Sequence, residues 1–304
     1  MLADKVVIVT GAAGNLGSAV VSLLASQGAR LVAIGRTESA VENVLRKLEP
    51  ADAHAVAVGI DLGDATACSA AAAATLERFG RIDGLVNVAG GFAMAGIDQA
   101  DAAFWEGQFR LNLITALNMC RAVVPAMREA QSGSIVNIGS AGAAKGGSGM
   151  GAYAAAKSAV LRLTESLADE LKGQGVRANC VLPTIIDTPQ NRADMPKADT
   201  SRWVSPAQVA EVIAFLLSDA ASGITGIGIP LSFVIPTLGI RSALQWPMLV
   251  ALTSCYVVGY LGLLIAPVAG AWLWALLVGI GTCTFPLILT LIGLRARTAE
   301  GTPT

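Results

Sequence analysis

Histidine is almost absent from this chain. His54 is the single one in 304 residues, so a serine–histidine triad or a histidine-rich metal site would have to rest on one side chain. The five cysteines, Cys68, Cys120, Cys180, Cys255 and Cys283, are odd in number, widely spaced and form no C-x-x-C pair. That argues against a disulfide framework and suits a reducing cytosol. No metal site is expected. Basic patches interleaved with aromatics are missing, so nucleic acid is not an expected partner. A secretory leader is not expected either, because the apolar stretch beginning at Val6 is short and runs straight into a glycine-rich turn. Charge is absent from one whole region: Lys, Arg, Asp and Glu are scattered through residues 1–232, yet residues 242–294 contain none, although the net charge is only −1. Two physical classes share one chain.

What is present in the first class is alternation. Apolar runs of strand length, Val6 to Thr10, Leu31 to Ile34, Ala55 to Ile60, Gly84 to Val88, Ser134 to Ile138, Arg177 to Leu182 and Gly226 to Leu231, alternate with longer amphipathic stretches. Helices are expected over Leu16 to Gly28, Glu38 to Leu48, about Ala103 to Ala130, Tyr153 to Lys172 and Pro206 to Leu217, with the Ala70 to Ala74 run as a small-residue helix face. Seven strands and six helices in this order predict an α/β fold, a Rossmann-like doubly wound parallel sheet.

The first expected strand ends in Thr10, Gly11, Ala12, Ala13, Gly14, Asn15, Leu16 and Gly17 and then opens a helix. Glycines there let the backbone turn sharply and approach a pyrophosphate, whose charge a helix N-terminus favours. At the end of the second strand no acidic residue stands ready for a ribose 2′-hydroxyl. Gly35 and then Arg36 occupy the place, leaving room for a 2′-phosphate and offering it a cation, which favours NADP(H) over NAD(H).

Tyr153 and Lys157 are four residues apart, thirteen residues after Ser140. On a helix such side chains share a face, so the ammonium is expected to lie beside the phenol and favour its ionised form. A phenol shifted down from about 10 becomes an acid/base usable near neutral pH. By itself the pair also fits an ordinary surface helix.

In combination these residues resemble the short-chain dehydrogenase/reductase family over about residues 1–231. Gly11 and Gly17 match its T-G-x-x-x-G-x-G turn, with Asn15 in place of the central glycine. Asn87 to Gly90, reading N-V-A-G, resembles its N-N-A-G segment, and Ser140, Tyr153 and Lys157 match its serine and Y-x-x-x-K. Asn15 is expected to tolerate the left-handed geometry of the missing glycine. The resemblance implies catalytic roles for Asn112, Ser140, Tyr153 and Lys157. It implies cofactor contacts from Thr10, Gly11, Asn15, Leu16, Gly17, Arg36, Asp61, Leu62, Asn87, Ala89, Gly90, Tyr153, Lys157, Ile186 and Thr188. Asp61 and Leu62 would meet the adenine, the Ile186 backbone the nicotinamide carboxamide, and Asn112 a water that links Lys157 to solvent. A homodimer or homotetramer is implied as well. The expected activity is hydride transfer between a nicotinamide cofactor and a carbonyl or secondary alcohol, as in a 3-oxoacyl reductase or related ketone reductase.

Thr184 stands where the family's P-G-x-x-x-T segment has its glycine, and Thr184 to Trp203 is read as a mobile lid over substrate. Gln190, Asn191 and Arg192 within it suit acyl, sugar, pterin or steroid ligands alike. Gly90 to Met94 is a candidate pocket wall, though Phe92 and Met94 fit a packed core equally well.

After a junction at 232–247, the stretch Met248 to Ala266 is 19 charge-free residues and Ala271 to Leu294 is 24. Each is long enough to span about 30 Å of hydrocarbon. Trp246, Trp272 and Trp274 suit interfaces, Pro286 a kink in the second span. Arg241, Arg295 and Arg297 place both ends, including the polar tail 295–304, in the cytoplasm by the positive-inside rule. Gly259 to Pro267 and Leu289 to Arg297 resemble an internal piece of a major-facilitator transporter, whose sites need many more spans. Three readings stay open: a reductase anchored by a transmembrane hairpin, a fused or rearranged chain whose tail has no transport role, and a transporter subunit with a nucleotide-sensing domain. A hairpin buried in a soluble fold is a further possibility for the tail.

Overall fold

Val6–Thr10 forms β1 with all five residues buried, as a strand covered on both faces requires. The computed structural model describes residues 2–48 and 55–231, together with 250–255, 257, 258, 261, 265, 273, 274 and 277. Within residues 1–200 and 204–231, which form one unit, β1 leads to α1 (Asn15–Ser26), β2 (Arg30–Gly35), α2 (Glu38–Leu45), β3 (Ala55–Gly59), α3 (Ala65–Phe79) and β4 (Gly84–Asn87). Then come α4 (Ala102–Phe109), α5 (Thr115–Glu129), β5 (Gly133–Ile138), α6 (Gly151–Glu170), β6 (Val176–Pro183), α7 (Pro189–Asp194), α8 (Pro206–Leu217) and β7 (Gly228–Leu231).

The strands make one parallel sheet in the order β3-β2-β1-β4-β5-β6-β7. α1 packs on α8, and α3 on α5. Leu85, Met119, Cys120, Val123, Met127 and Ile135 form part of the core between sheet and helices, all of them 0 % exposed. The order of strands reverses between β1 and β4, so the connections that leave the carboxyl ends of these two strands run in opposite directions and leave the crevice in which such sheets bind ligands. Thr10, Asn87, Ser140 and Pro183 all stand at or just beyond strand carboxyl ends.

Three local features depart from the sequence reading. The expected helix over Ala103 to Ala130 is interrupted by a π-helical turn, Arg110–Ile114, which joins α4 to α5. The expected lid contains a short helix, α7, started by the Thr188 hydroxyl and Pro189. Its flanks are tied down by the Asp187 N–H to the Val204 carbonyl at 2.8 Å and the Val204 N–H to the Ile185 carbonyl at 2.9 Å. The segment is therefore an ordered, two-ended strap in this structure rather than a structureless loop. In the first turn, Asn15 does not adopt left-handed geometry: Gly11 carries the positive φ, +66°, and Gly14 takes the N-cap with Asn15 as the first helical residue. The turn is rotated one step along the chain, and Asn15 replaces nothing that needed glycine.

No helix among the described residues is long and apolar enough to cross a membrane. Freedom from charge is one requirement for a span and a continuous helix another. The composition meets the first, and the described residues show no helix that meets the second. The stretches 248–266 and 271–294 fall mostly outside the described residues, as do His54, Arg241, Trp246, Trp272, Cys283, Pro286, Arg295 and Arg297.

Candidate active site

The turn after β1 is shaped by contacts that leave no space for side chains. A Cβ on Gly17 would overlap the Gly11 carbonyl oxygen, and one on Gly11 would come within 2.8 Å of the Ala89 nitrogen. α1 starts without a side-chain cap and without an acidic residue in its first turn, so its free N–H groups and the positive end of its dipole are left for an external anion. That cradle fits the pyrophosphate of a dinucleotide. Leu16 is buried behind it and Asn15 exposed on it.

Thr10 acts from below. Its hydroxyl accepts from the Val88 N–H at 3.1 Å and the Ala89 N–H at 3.2 Å, which clamps the end of β4 against β1. Asn87 likewise turns inward: its amide donates to Asn137 Oδ1 at 2.9 Å, and the side chain is 3 % exposed. The side chains of Thr10 and Asn87, both expected at the cofactor, make contacts within the protein that fix the floor of the crevice.

At the far end, Arg36 is exposed beyond β2, and Asp61 is exposed beyond β3. The Gly63 N–H bonded to Asp61 at 2.8 Å, with Arg110 at 3.2 Å and the field of Arg36, holds this carboxyl below its ordinary range. Arg110 escaped the sequence reading because its partner is 49 residues away. Leu62 is buried, with its carbonyl accepting from Asn118 at 3.0 Å.

The π-turn aims Asn112. Its amide donates to the Gly91 carbonyl at 3.0 Å and to the Gln108 carbonyl at 3.1 Å, while Oδ1 accepts from the Gly91 N–H at 3.1 Å. A Cβ on Gly90 would lie 2.8 Å from Asn112 Oδ1 and 3.2 Å from Lys157 Nζ, so one missing methyl group marks where amide and ammonium converge. Such π-turns are frequent at functional sites, and hydrophobic period alone does not reveal them.

Ser140, just past β5, stands near enough to the phenol of Tyr153 on α6 for its hydroxyl to act on the phenol's titration. Lys157 Nζ donates to the Ile138 carbonyl at 2.8 Å, and the residue is 6 % exposed. Burial lowers the Lys157 ammonium to about 8. Burial also pushes the Tyr153 phenol up, and the Ser140 hydroxyl offsets part of that rise. The expectation that Lys157 depresses Tyr153 is corrected here: the ammonium is engaged by the β5 carbonyl, and desolvation of the phenol dominates.

On the other side, the Ile186 carbonyl accepts from the Asn191 amide at 2.7 Å, and the Thr188 hydroxyl accepts from the Asn191 N–H at 3.1 Å. Both expected carboxamide neighbours are thus built into the start of α7. Among the described residues, no group of three or more His, Cys, Asp or Glu could hold a metal ion.

Residues 5–199 match the family model for short chain dehydrogenases. The chain belongs to the short-chain dehydrogenase family. This short-chain dehydrogenase is 36% identical over 234 residues to the D-threitol dehydrogenase of Mycolicibacterium smegmatis, covering 74% of this chain and 90% of that one. It is 32% identical over 233 residues to a 3-oxoacyl-[acyl-carrier-protein] reductase of Thermotoga maritima, covering 74% and 95%. Among solved structures, that of the 3-ketoacyl-(acyl-carrier-protein) reductase from Brucella melitensis complexed with NADH superimposes with a TM-score of 0.69 at 27% identity, covering 77% of this chain and 99% of that one. The short-chain dehydrogenase is therefore an oxidoreductase of the NAD(P)-dependent, alcohol-and-ketone kind, and the family match stops well short of residues 248–294.

Proposed function

We propose that this chain reduces a ketone to its secondary alcohol with NADP(H) in preference to NAD(H), Tyr153 being the proton donor. The observation that carries the reading is the convergence at one crevice of Ser140 beside the Tyr153 phenol, the buried Lys157 and the Asn112 amide. A bound nicotinamide dinucleotide supplies the hydride. Gly11, Asn15, Leu16 and Gly17 would hold its pyrophosphate, Arg36 the 2′-phosphate, and Asp61 with Leu62 the adenine. Ala89, Gly90, Ile186 and Thr188 would border the nicotinamide, and Tyr153 with Lys157 its ribose.

Ser140 orients the substrate oxygen, and Tyr153 gives it a proton as it becomes an alkoxide. The raised phenol keeps that proton through neutral pH, the form in which it can act as the acid. Lys157, charged below about pH 8, returns a proton toward Tyr153, with Asn112 opening the route to solvent through a held water. Tyr153→Phe removes the acid while leaving the fold, and general acid/base contributions of this type are worth about 10³-fold. Cofactor binding by fluorescence is expected to survive this change while ketone reduction falls by that factor. Undiminished reduction would end the assignment.

A 3-oxoacyl ester and a simple ketone present the same reacting group, and the similarity to an acyl-carrier-protein reductase supports either. By family resemblance we expect a homodimer or homotetramer, which light scattering of the full chain would read. For residues 248–294 the proposal remains membrane contact, with the catalytic domain on the cytoplasmic side. Its support is the charge-free composition and the exposure of Val250, Val257, Val258, Leu261 and Ile265. Recovery of the full chain in a high-speed supernatant without detergent would remove it.

A further inference from the structure

The polar side chains of the strap over the site are engaged with one another. Gln190 donates to Asp194 at 2.8 Å, Asn191 to the Ile186 carbonyl at 2.7 Å, and Arg192 makes a two-point pair with Asp187 at 2.6 and 2.8 Å. Each of the three residues that would otherwise grip hydroxyls or an anion on a substrate has its partner inside the protein.

Large apolar side chains are left open beside them. Phe92 sets its ring edge-on against the Tyr153 ring, with centroids 4.8 Å apart and planes at 85°, yet remains 56% exposed. Met94 is 57% exposed and lies in the segment held to α6's approach by the Ala95 N–H and the Gly149 carbonyl at 3.0 Å. Its Cε would lie 3.2 Å from a Cβ on Gly149. A Cβ on Gly142 would meet both Ser140 Oγ at 3.5 Å and Met150 Cε at 3.9 Å, so a second thioether and the serine flank the same glycine. Ile185, 41% exposed, follows β6 next to the β5 end that carries Ser140. Exposed large apolar groups bordering a reactive phenol are unfavourable in water unless something covers them. Thioethers and an aromatic edge form a surface that adapts to apolar bodies and offers hydroxyl or carboxylate groups no replacement for lost water.

We infer that the substrate is an uncharged ketone whose body, beyond the reacting carbon, is apolar, seated against Phe92, Met94, Met150 and Ile185. This rests on the reading of Tyr153 as the acid of a ketone reductase. It excludes polyhydroxylated ketones and carriers recognised by an anionic group near the carbonyl. Lys145, exposed beyond the short turn after Ser140, is the cation that an anionic substrate would recruit instead.

Three ring ketones of matched reactivity decide the matter: 4-methylcyclohexanone, 4-hydroxycyclohexanone and 4-oxocyclohexanecarboxylate, each assayed on the full chain with NADPH and with NADH. The expected order of kcat/KM is methyl, hydroxyl, carboxylate, with at least tenfold between first and last. In Phe92→Ala the KM for the methyl ketone rises about fivefold to tenfold, in line with about fourfold per buried methylene. Its kcat moves much less, and the preference shrinks. A preference for the hydroxyl or carboxylate compound, or a Phe92→Ala chain with an unchanged preference, overturns the inference while reduction itself upholds the reductase reading. If none of the three is reduced, the reductase reading fails for this class, and calorimetry still decides the surface. Tighter binding of the methyl ketone than of the carboxylate, weakened by Phe92→Ala, supports it, and equal or absent binding overturns it.

Discussion

The two walls of the crevice are built by opposite means. On the cofactor side, at Gly11, Gly17 and Gly90, the shape is made by side chains that are missing, and backbone or catalytic atoms fill the space to contact distance. On the side proposed for substrate, at Phe92, Met94 and Ile185, the shape is made by side chains that are present and uncovered. The first wall is specified by sterics and tolerates no change, because a Cβ has nowhere to go. The second is specified by hydrophobic contact, which is graded and forgiving. One family can thus keep a fixed cofactor site while its members, such as the threitol dehydrogenase and the acyl-carrier-protein reductase found similar here, carry different substrate names.

The largest expected effect that sharpens this contrast is Gly17→Ala. Its methyl group collides with the Gly11 carbonyl, and NADPH binding measured by fluorescence is expected to weaken by about 10²-fold, on the order of 3 kcal/mol at about 1.4 kcal/mol per factor of ten. Binding within twofold of the parent chain would show that the turn yields, and the contrast would break.

Lys157 stands between the walls and carries a pH signature. Its ammonium is lowered from 10.5 to about 8 by burial, so between those values the unfolded chain binds the extra proton and stability rises with pH. Below about pH 8 the buried charge opposes folding in full, at roughly 3 kcal/mol by the linkage of shift to free energy. Lys157→Met should abolish ketone reduction. Its stability relative to the parent should be most favourable below pH 8 and decline by about that amount as pH rises past 10.5, measured by urea unfolding across the range. A difference independent of pH would deny the buried charge.

A smaller effect is expected at Arg36, exposed and with Asp61 close enough to feel its field. Arg36→Leu should raise the KM for NADPH about tenfold, as loss of one charge-assisted phosphate contact at roughly 1.5 kcal/mol implies, and leave the KM for NADH nearly unchanged. Equal effects on both cofactors would remove the NADP preference. The least effect belongs to Gly107, in α4, where a Cβ meets nothing within 4 Å. Gly107→Ala should stabilise by roughly 0.5–1 kcal/mol, seen as a small rise in Tm, and a loss would show that open space is not what distinguishes harmless glycines from those of the cradle.

Legibility in the sequence followed the range of the forces involved. α8 was legible to the residue, Pro206 to Leu217, because Ser205, Pro206 and Gln208 write its start locally as a capping box. The strands were legible to within two residues, since burial on both faces leaves a continuous apolar run. The spacing of Ser140, Tyr153 and Lys157 was readable in the sequence, and the structure puts the serine near the phenol. The protonation balance was not legible, because it depends on the Ile138 carbonyl that takes Lys157 and on how deeply the phenol is buried. Nor was the Arg110–Asp61 pair, which joins distant segments. α7 was hidden by being six residues long, too short for a period. The charge-free tail was legible as composition but not as architecture.

The π-turn at Arg110–Ile114 gives the rod from Ala102 to Glu129 a phase slip. One additional residue per turn offsets the two halves by about 100° of rotation, so that α4 and α5 each keep their own seating while Asn112 points inward toward Gly91. Removing a single residue from this turn would restore an unbroken helix with better hydrogen bonding and would swing Asn112 away from the ammonium. The rod therefore gives up regularity at one turn, and that turn sets where Asn112 points.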